Sequence, residues 1–179
     1  MPVILWFVGA CTVAAKVGDP CPTVVINEVM TASDSFLLPG EDSTSDWFEL
    51  RNVSKQPADL SGFRLIGHTD EDNAFVLPEA FSVPGQGLAL FIAGTFEDPA
   101  SETPIVGFDF NGDGDSLELR AAEAEIECDS VFIPDQHHGF SWQRNPAAKP
   151  GSDSTWCDSL VPSPGAPNAE CLCEATDAC

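Results

Sequence analysis

The chain has 179 residues, 43% of them hydrophobic, which is enough for one well-buried core but short for two domains. Its 29 Asp and Glu against 7 Lys and Arg give a formal net charge of -22. Such a surface repels phosphate groups, and no Lys/Arg cluster reverses the sign locally, so nucleic acid and anionic membranes are disfavoured as partners.

The N-terminal stretch has features of an export signal. Residues 2–10 form an apolar run that is too short to span a bilayer and ends at Cys11. The sequence Val8-Gly9-Ala10-Cys11 is similar to a bacterial lipobox, in which the Cys is lipid-modified, although the usual preceding basic segment is missing. We expect residues 1–20 to be a lipoprotein-type export segment lipidated at Cys11. A conventionally cleaved signal and a buried first strand are the alternatives.

Two segments form the predicted centre of the fold. Residues 23–30 read as one strand, and residues 46–52 read as the next. In the second segment Phe48 and Leu50 lie on one side and their neighbours on the other, which is typical of a half-buried strand. We expect these strands to be adjacent and central, with most later strands packing over them.

The remaining chain reads as short strands between turns that contain Gly and Pro. The further predicted strands are 60–66, 74–77, 87–92, 116–120 and 125–133. Residues 108–110 and 116–120 flank a Gly- and Asp-rich turn, so we predict a hairpin there. Beyond Pro134 we expect mostly loop. The pattern predicts an all-β chain folded as an antiparallel β-sandwich over residues 21–170, with a Cys-rich tail at 171–179.

Several of these segments resemble, in chain order, the signatures of the bacterial lamin tail domain. They are Ile26-Asn27-Glu28-Val29, residues 46–52, residues 59–65, residues 114–119 and Ser163-Pro164-Gly165-Ala166-Pro167-Asn168. The resemblance implies an immunoglobulin-like β-sandwich of the kind found in exported and cell-surface bacterial proteins, and it implies no catalytic site. Nuclear lamin tails are linked with chromatin, but the net charge here argues against carrying over a DNA role.

The cysteine count fits an exported protein. Without Cys11, six of the seven cysteines remain, and an even number favours disulfides, although six cysteines allow fifteen pairings. The pairs that we expect are Cys128 with Cys157, Cys21 with Cys171, and Cys173 with Cys179. Metal binding is the weaker interpretation, because Cys171-Leu172-Cys173 lacks the spacing of a zinc or redox pair.

One turn is a candidate calcium site. Residues 109–114 match the opening of the EF-hand loop, D-x-[DN]-x-[DN]-G, so the candidate ligands are Asp109, Asn111, Asp113 and Asp115. The twelfth position of that loop requires a bidentate Glu and is Arg120 here, which excludes a complete EF-hand. A simple hairpin turn is the main interpretation, and a weak calcium site is the alternative.

Paired carboxylates are a second candidate. Glu28 and Glu49 lie on strands that we expect to be adjacent, and Asp46 begins the second strand. Such a pair can hold a cation or do acid/base chemistry, but we expect it to satisfy loop backbone groups at one end of the sandwich.

The histidines and tryptophans are weaker indications of a metal or ligand site. His137 and His138 are adjacent, so on an extended chain they point apart, and His68 is distant in sequence. Trp142 and Trp156 are expected to cover an open end of the core, with a stacking platform for sugars or peptides as the alternative.

The sequence therefore predicts a non-catalytic exported module with a structural or adhesive role at the cell envelope. Its expected partner is an unknown protein or glycan at the cell surface, and the membrane is reached only through a lipid anchor. A calcium- or carbohydrate-binding accessory domain is the alternative. A stand-alone hydrolase is disfavoured because the sequence has no G-x-S-x-G motif and no plausible nucleophile and base pair.

Overall fold

A computed structural model of the chain describes residues 20–31, 33, 36–41, 44–68, 70–98, 100–122, 126–135, 139–147 and 156–172. The predictions made for the export segment with Cys11, for His137 and His138, and for Cys173 with Cys179 lie outside the described residues. Within those residues, no helix is both long enough and apolar enough to cross a membrane.

Strands dominate the described part of the chain. In order, the elements are β1 (Val24–Met30), β2 (Asp46–Asn52), β3 (Ala58–Asp59), β4 (Arg64–Gly67), a short 3-10 helix (Glu71–Asn73), β5 (Phe75–Val76), β6 (Ser82–Val83), β7 (Leu88–Ala93), β8 (Asp115–Arg120), β9 (Glu127–Ile133), β10 (Ser141–Arg144) and β11 (Trp156–Ser159).

The strands form antiparallel sheets that pack together, which confirms the predicted β-sandwich. The first sheet has the order β11-β10-β1-β2-β7 and the second has the order β5-β4-β8-β9, while β3 and β6 pair separately. The predicted adjacency of β1 and β2 is confirmed, and β2 lies inside the sheet between β1 and β7. A register shift between Ile26 and Glu28 places Asn27 at a β-bulge.

The core lies between the two sheets and is built from alternate residues of each strand. Phe48 and Leu50 of β2 are fully buried there with Leu117 and Leu119 of β8. The Phe48 ring also stacks on Phe91 of β7 with 5.1 Å between ring centroids. Burying each such side chain stabilises the fold by about 1.5–3 kcal/mol, so this core supplies much of the stability.

The opposite face of β2 is also covered, so the prediction of a half-buried strand is wrong. Trp47 is completely buried in a second cluster with Met30, Leu38 and Ile92. Leu38 comes from the long loop before β2, which folds back over this face. Alternation identified the two faces correctly but did not reveal that the loop covers the outer one.

The predicted hairpin of residues 108–110 with 116–120 does not form. β8 pairs with β4 on one side and β9 on the other, so both of its edges are occupied. Phe108 and Phe110 are instead buried, and their rings lie 6.3 and 6.0 Å from that of Phe48. These aromatic contacts hold the segment against the core rather than in a sheet.

In its described part, the chain beyond Pro134 is mostly loop, as predicted, but it also contains two short strands that the sequence did not predict. β10 adds to the outer edge of β1, with Gln143 opposite Glu28, and β11 adds to β10. β11, rather than the β9 segment, is therefore the last strand of the described chain. Both strands have only four residues, which is too short for a clear period-2 signal.

Disulfide bonding of the described cysteines is confirmed, but the expected pairing is wrong. The bonds join Cys21 with Cys128 and Cys157 with Cys171, in place of Cys128 with Cys157 and Cys21 with Cys171. The hydrogen bond from the Ile26 amide to Asp129 shows that the first half of β1 lies beside β9. The end of the described chain runs along β11 instead, since the Leu172 amide donates to the Asp158 carbonyl.

Candidate functional site

Two carboxyl groups are buried on the outer face of the first sheet. Glu28 of β1 and Glu49 of β2 are directly opposite each other in the strand register, as the sequence predicted for adjacent strands. Both side chains are completely buried. Among the ion pairs found between described residues, none includes either one.

The segment that covers them is residues 161–172, which we call the C-terminal strap. Ser163 donates its backbone N–H to Glu28 Oε1 at 3.0 Å and its hydroxyl to Oε2 at 2.7 Å. The Gly165 amide donates to Glu49 Oε2 at 2.7 Å. Gly165 has a φ of +74°, a conformation that glycine adopts without steric cost, so this turn of the strap suits a glycine. The acids therefore satisfy backbone groups of a loop, as the sequence predicted.

Side chains from the sheet complete this network. Ser141 of β10 donates to Glu28 Oε1 at 2.5 Å, and Asn27, at the bulge, donates to Glu49 Oε1 at 2.9 Å. Asn168 of the strap bonds Asn27 and also donates to the Arg144 carbonyl at 2.8 Å. Three strands and the strap thus meet at one pair of acids.

Burial controls the protonation of both acids. It raises the pKa of Glu28, and the hydrogen bonds from Ser141 and Ser163 oppose that rise. Burial likewise raises the pKa of Glu49 to about 7, against the hydrogen bonds from Gly165 and Asn27. The charge of Glu28 adds to the rise at Glu49, and Arg51 opposes it. Glu49 therefore changes charge close to neutral pH.

A second buried acid lies in the segment 109–116, which we call the rim turn. The Asp115 side chain is 2% exposed, and its Oδ2 lies 2.7 Å from His68 Nδ1. The amides of Asn111 and Ser116 donate to its two oxygens at 2.8 and 2.7 Å. His68 has a φ of +55°, an uncommon conformation for a residue other than glycine. No pattern in the sequence indicates the contact between His68 and Asp115.

This geometry does not gather the four candidate calcium ligands. Asp109, Asn111 and Asp113 are exposed, whereas Asp115 is buried and accepts hydrogen bonds within the protein. Throughout the described ranges, no group of three or more His, Cys, Asp or Glu is arranged to hold a metal ion. The calcium site remains an untested prediction.

A shallow pocket of about 470 Å³ opens beside the rim turn. Its lining residues are His68, Asn111, Asp115, Ser116 and Phe132. The Phe132 side chain of β9 is 72% exposed, the largest value among the large hydrophobic residues described. An exposed aromatic beside polar groups is a combination that binding sites use.

The tryptophans agree with a structural role. Trp142 and Trp156 stack with 6.3 Å between ring centroids, and both pack against the main core. The Arg144 guanidinium lies 4.9 Å from the Trp156 ring centroid, and it also bonds Asp129 of the other sheet at 2.6 Å. The partial burial of the stack against the core favours the structural interpretation, and the stacking platform for sugars or peptides stays a prediction. Asp46, the third acid considered, accepts from the Ser33 hydroxyl at 3.1 Å.

The fold and these sites define a disulfide-bonded β-sandwich that buries acidic groups on the outer face of one sheet and at its rim. No protein-family model matches the chain, and no curated protein matches it either.

Proposed function

We propose that this protein is a non-catalytic, exported module of lamin tail type, an immunoglobulin-like sandwich with a structural or adhesive role at the cell envelope. The observation that carries the proposal is the pair of disulfides, Cys21–Cys128 and Cys157–Cys171. Disulfides form and persist in oxidising compartments outside the cytoplasm, so this pair of bonds favours export. In this proposal the N-terminal segment directs export, and the chain is then lipidated at Cys11 or cleaved before the sandwich.

The buried acids support the lamin tail assignment. The resemblance rests on separate segments that contain Glu28, Glu49 and residues 163–168. These segments meet in one hydrogen-bonded network, where Ser163 bonds Glu28 and Gly165 bonds Glu49. A shared structural role explains why these residue types occur together at such distant positions in the sequence.

The same network supports a role without catalysis. Glu28 and Glu49 are the acids with raised pKa values, which is the property expected of a general acid or base. Here the strap and neighbouring strands use their oxygens as hydrogen-bond acceptors, and both side chains are buried away from solvent. The acids therefore serve to hold the sandwich closed.

Binding is proposed to occur at the pocket beside the rim turn. Phe132 offers an exposed aromatic surface there, and His68 and Asn111 offer polar groups for orientation. The partner is a protein or glycan of the cell surface. An aromatic side chain at the centre of such a contact commonly contributes much of the binding energy.

Binding of the purified, disulfide-bonded chain to isolated cell envelopes tests the adhesive role. We expect saturable binding that Phe132→Ser weakens about tenfold or more, a loss typical of an aromatic anchor. Val53→Ser is the matched control, because Val53 is also an exposed hydrophobic residue, with 53% exposure, and lies outside the pocket lining. Absence of saturable binding, or equal losses in both variants, would reject this role.

Localisation is tested separately by alkylating the native host's fractions and counting modified cysteines by mass spectrometry. Cys21, Cys128, Cys157 and Cys171 should be unmodified before reduction in the envelope or secreted fraction. Recovery of the protein in the cytoplasm with these four thiols reduced would refute export.

A further inference from the structure

We propose that the C-terminal strap is a pH-responsive cover, closed while the Glu28 and Glu49 pair holds a proton and lifted from the sheet when both groups ionise. Opening exposes a polar row, Gln143, Glu28 and Glu49, that runs across three neighbouring strands on the outer face of the first sheet. This device is independent of the proposed binding at the rim turn.

The part of the strap around residues 163–165 bonds the two acids. Ser163 gives Glu28 two hydrogen bonds, and Gly165 gives Glu49 one. The strap's other contacts with the sheet include the Asn168 bonds and the Gln143 amide, which donates to the Ala169 carbonyl at 2.6 Å. Opening at the acids therefore frees residues 163–165, while Asn168 still bonds β1 and β10.

The charged groups around the pair do not neutralise it. Besides burial, the charge of Glu28 raises the pKa of Glu49, which lies opposite it, and Arg51 further along β2 lowers that pKa. Opposite Glu49 on β7 is Leu90, and opposite Glu28 on β10 is Gln143. The strap adds one more acid, Glu170, whereas Asp158 of β11 and Arg144 of β10 lie on the opposite face of the sheet with the two tryptophans. A second negative charge in this buried site is therefore unfavourable.

The sign of the pH effect follows from burial. With the strap closed, burial raises the pKa of Glu49 from its ordinary 4.5 to about 7. With the strap open, water solvates the carboxylate and the pKa returns toward its ordinary value. The closed state consequently binds the proton more tightly, so its advantage is complete below about pH 4.5 and is lost as pH rises through about 7.

The Cys157–Cys171 disulfide sets the extent of the motion. It ties the far end of the strap to β11 across a sequence separation of 14 residues. The strap is thus anchored at both ends, and only its middle can rise.

Hydrogen exchange of the disulfide-bonded chain between pH 5 and 8.5 tests the proposal. The Ser163 and Gly165 amides report strap opening directly, since both donate to the acids. After correction for intrinsic exchange, we expect their opening constant to rise on the order of 50-fold over this range. Leu117 and Leu119 of β8, in the other sheet, report global unfolding and should change much less.

Two variants separate the acid pair from general charge effects. Glu49→Gln cannot ionise, so it should abolish most of the pH dependence in the strap. Glu170→Gln is the matched control, because it removes the same charge from an exposed strap position and should keep the wild-type profile. If Glu49→Gln does not fold, the wild-type profile and a ¹³C titration of the Glu49 carboxyl decide the question. A wild-type rise below about fivefold, or a rise shared equally by strap and β8, would overturn the proposal.

Discussion

The face under the strap and the rim turn both bury carboxyl groups, but they surround them with different partners. Glu28 and Glu49 face each other, and their hydrogen bonds come from neutral hydroxyl, amide and backbone groups. Asp115 is a single acid and lies 2.7 Å from an imidazole nitrogen of His68. The first site also buries its acids completely, whereas the second borders a pocket open to solvent.

This difference shows that the environment, rather than the type of side chain, decides what a buried acid does. Two acids without a close cation resist ionisation, so the strap region is sensitive to pH. Asp115, a lone acid, accepts hydrogen bonds from two backbone amides and lies beside a histidine. It shapes a turn next to the exposed Phe132. We therefore propose that the strap site closes the fold and that the rim turn serves recognition.

The largest expected effect comes from removing an acid under the strap. Glu28→Ala leaves the buried Ser141 hydroxyl and both donors of Ser163 without their acceptor. We expect the free energy of unfolding to fall by about 4 kcal/mol, measured by urea denaturation at pH 6. Glu79→Ala, at an exposed position, is the control and should change it by less than about 0.5 kcal/mol. A small loss for Glu28→Ala would mean that the acid pair does not hold the strap.

The strap's covalent anchor should have the next largest effect. Replacing both Cys157 and Cys171 by Ser releases a short loop that the bond closes. We expect a loss of about 3 kcal/mol in the same urea experiment, because cross-linking a loop of this length restricts the unfolded chain. Exchange should accelerate more in the strap than in β8. Equal acceleration in both would show that the bond stabilises the sandwich as a whole.

A smaller effect is expected at the rim turn. Asp115→Asn keeps one side-chain oxygen as an acceptor and replaces the other by an NH2 group. That group is itself a donor, and it would face the donors of His68 and the backbone. We expect a loss of about 2 kcal/mol in thermal or urea unfolding. Asp113→Asn is the matched control, since Asp113 is exposed in the same turn and should have almost no effect. Similar losses for both variants would contradict the assignment of Asp115 as the turn's organising acid.

Calcium should have the smallest effect of all. Since Asp115 is already occupied by donors within the protein, we expect 2 mM calcium to leave the melting temperature within about 1 °C of its value in chelator. Differential scanning calorimetry measures this shift. A rise of several degrees that Asp113→Asn removes would instead establish the rim turn as a cation site.

Local pattern was sufficient to predict much of the first sheet from the sequence. Residues 23–30 and 46–52 carry their own alternation, so their strands and their adjacency were predictable. The pairing of Glu28 with Glu49 follows from that adjacency. The resemblance to lamin tail segments also marked residues 163–168 as a closing motif, although it did not show which groups the motif bonds.

Other features depended on contacts between distant residues. Phe108 and Phe110 resembled one arm of a hairpin, but their rings pack against Phe48, and both edges of β8 already have partners. β10 and β11 are too short to show a clear alternation in the sequence. They form because β10 pairs with the edge of β1 and β11 pairs with β10.

The sequence by itself determined the class of the fold, its acidic surface and the number of cysteines that can form disulfides. Alternation and turn residues act through neighbouring positions, and the charge and the cysteine content are sums over the whole chain. Tertiary structure alone decided that Cys21 meets Cys128, that His68 meets Asp115 and that the strap covers Glu28 and Glu49. Cys21 and Cys128 are 107 residues apart, and Glu28 and Ser163 are 135 residues apart, along a chain whose path only the packing of the two sheets specifies.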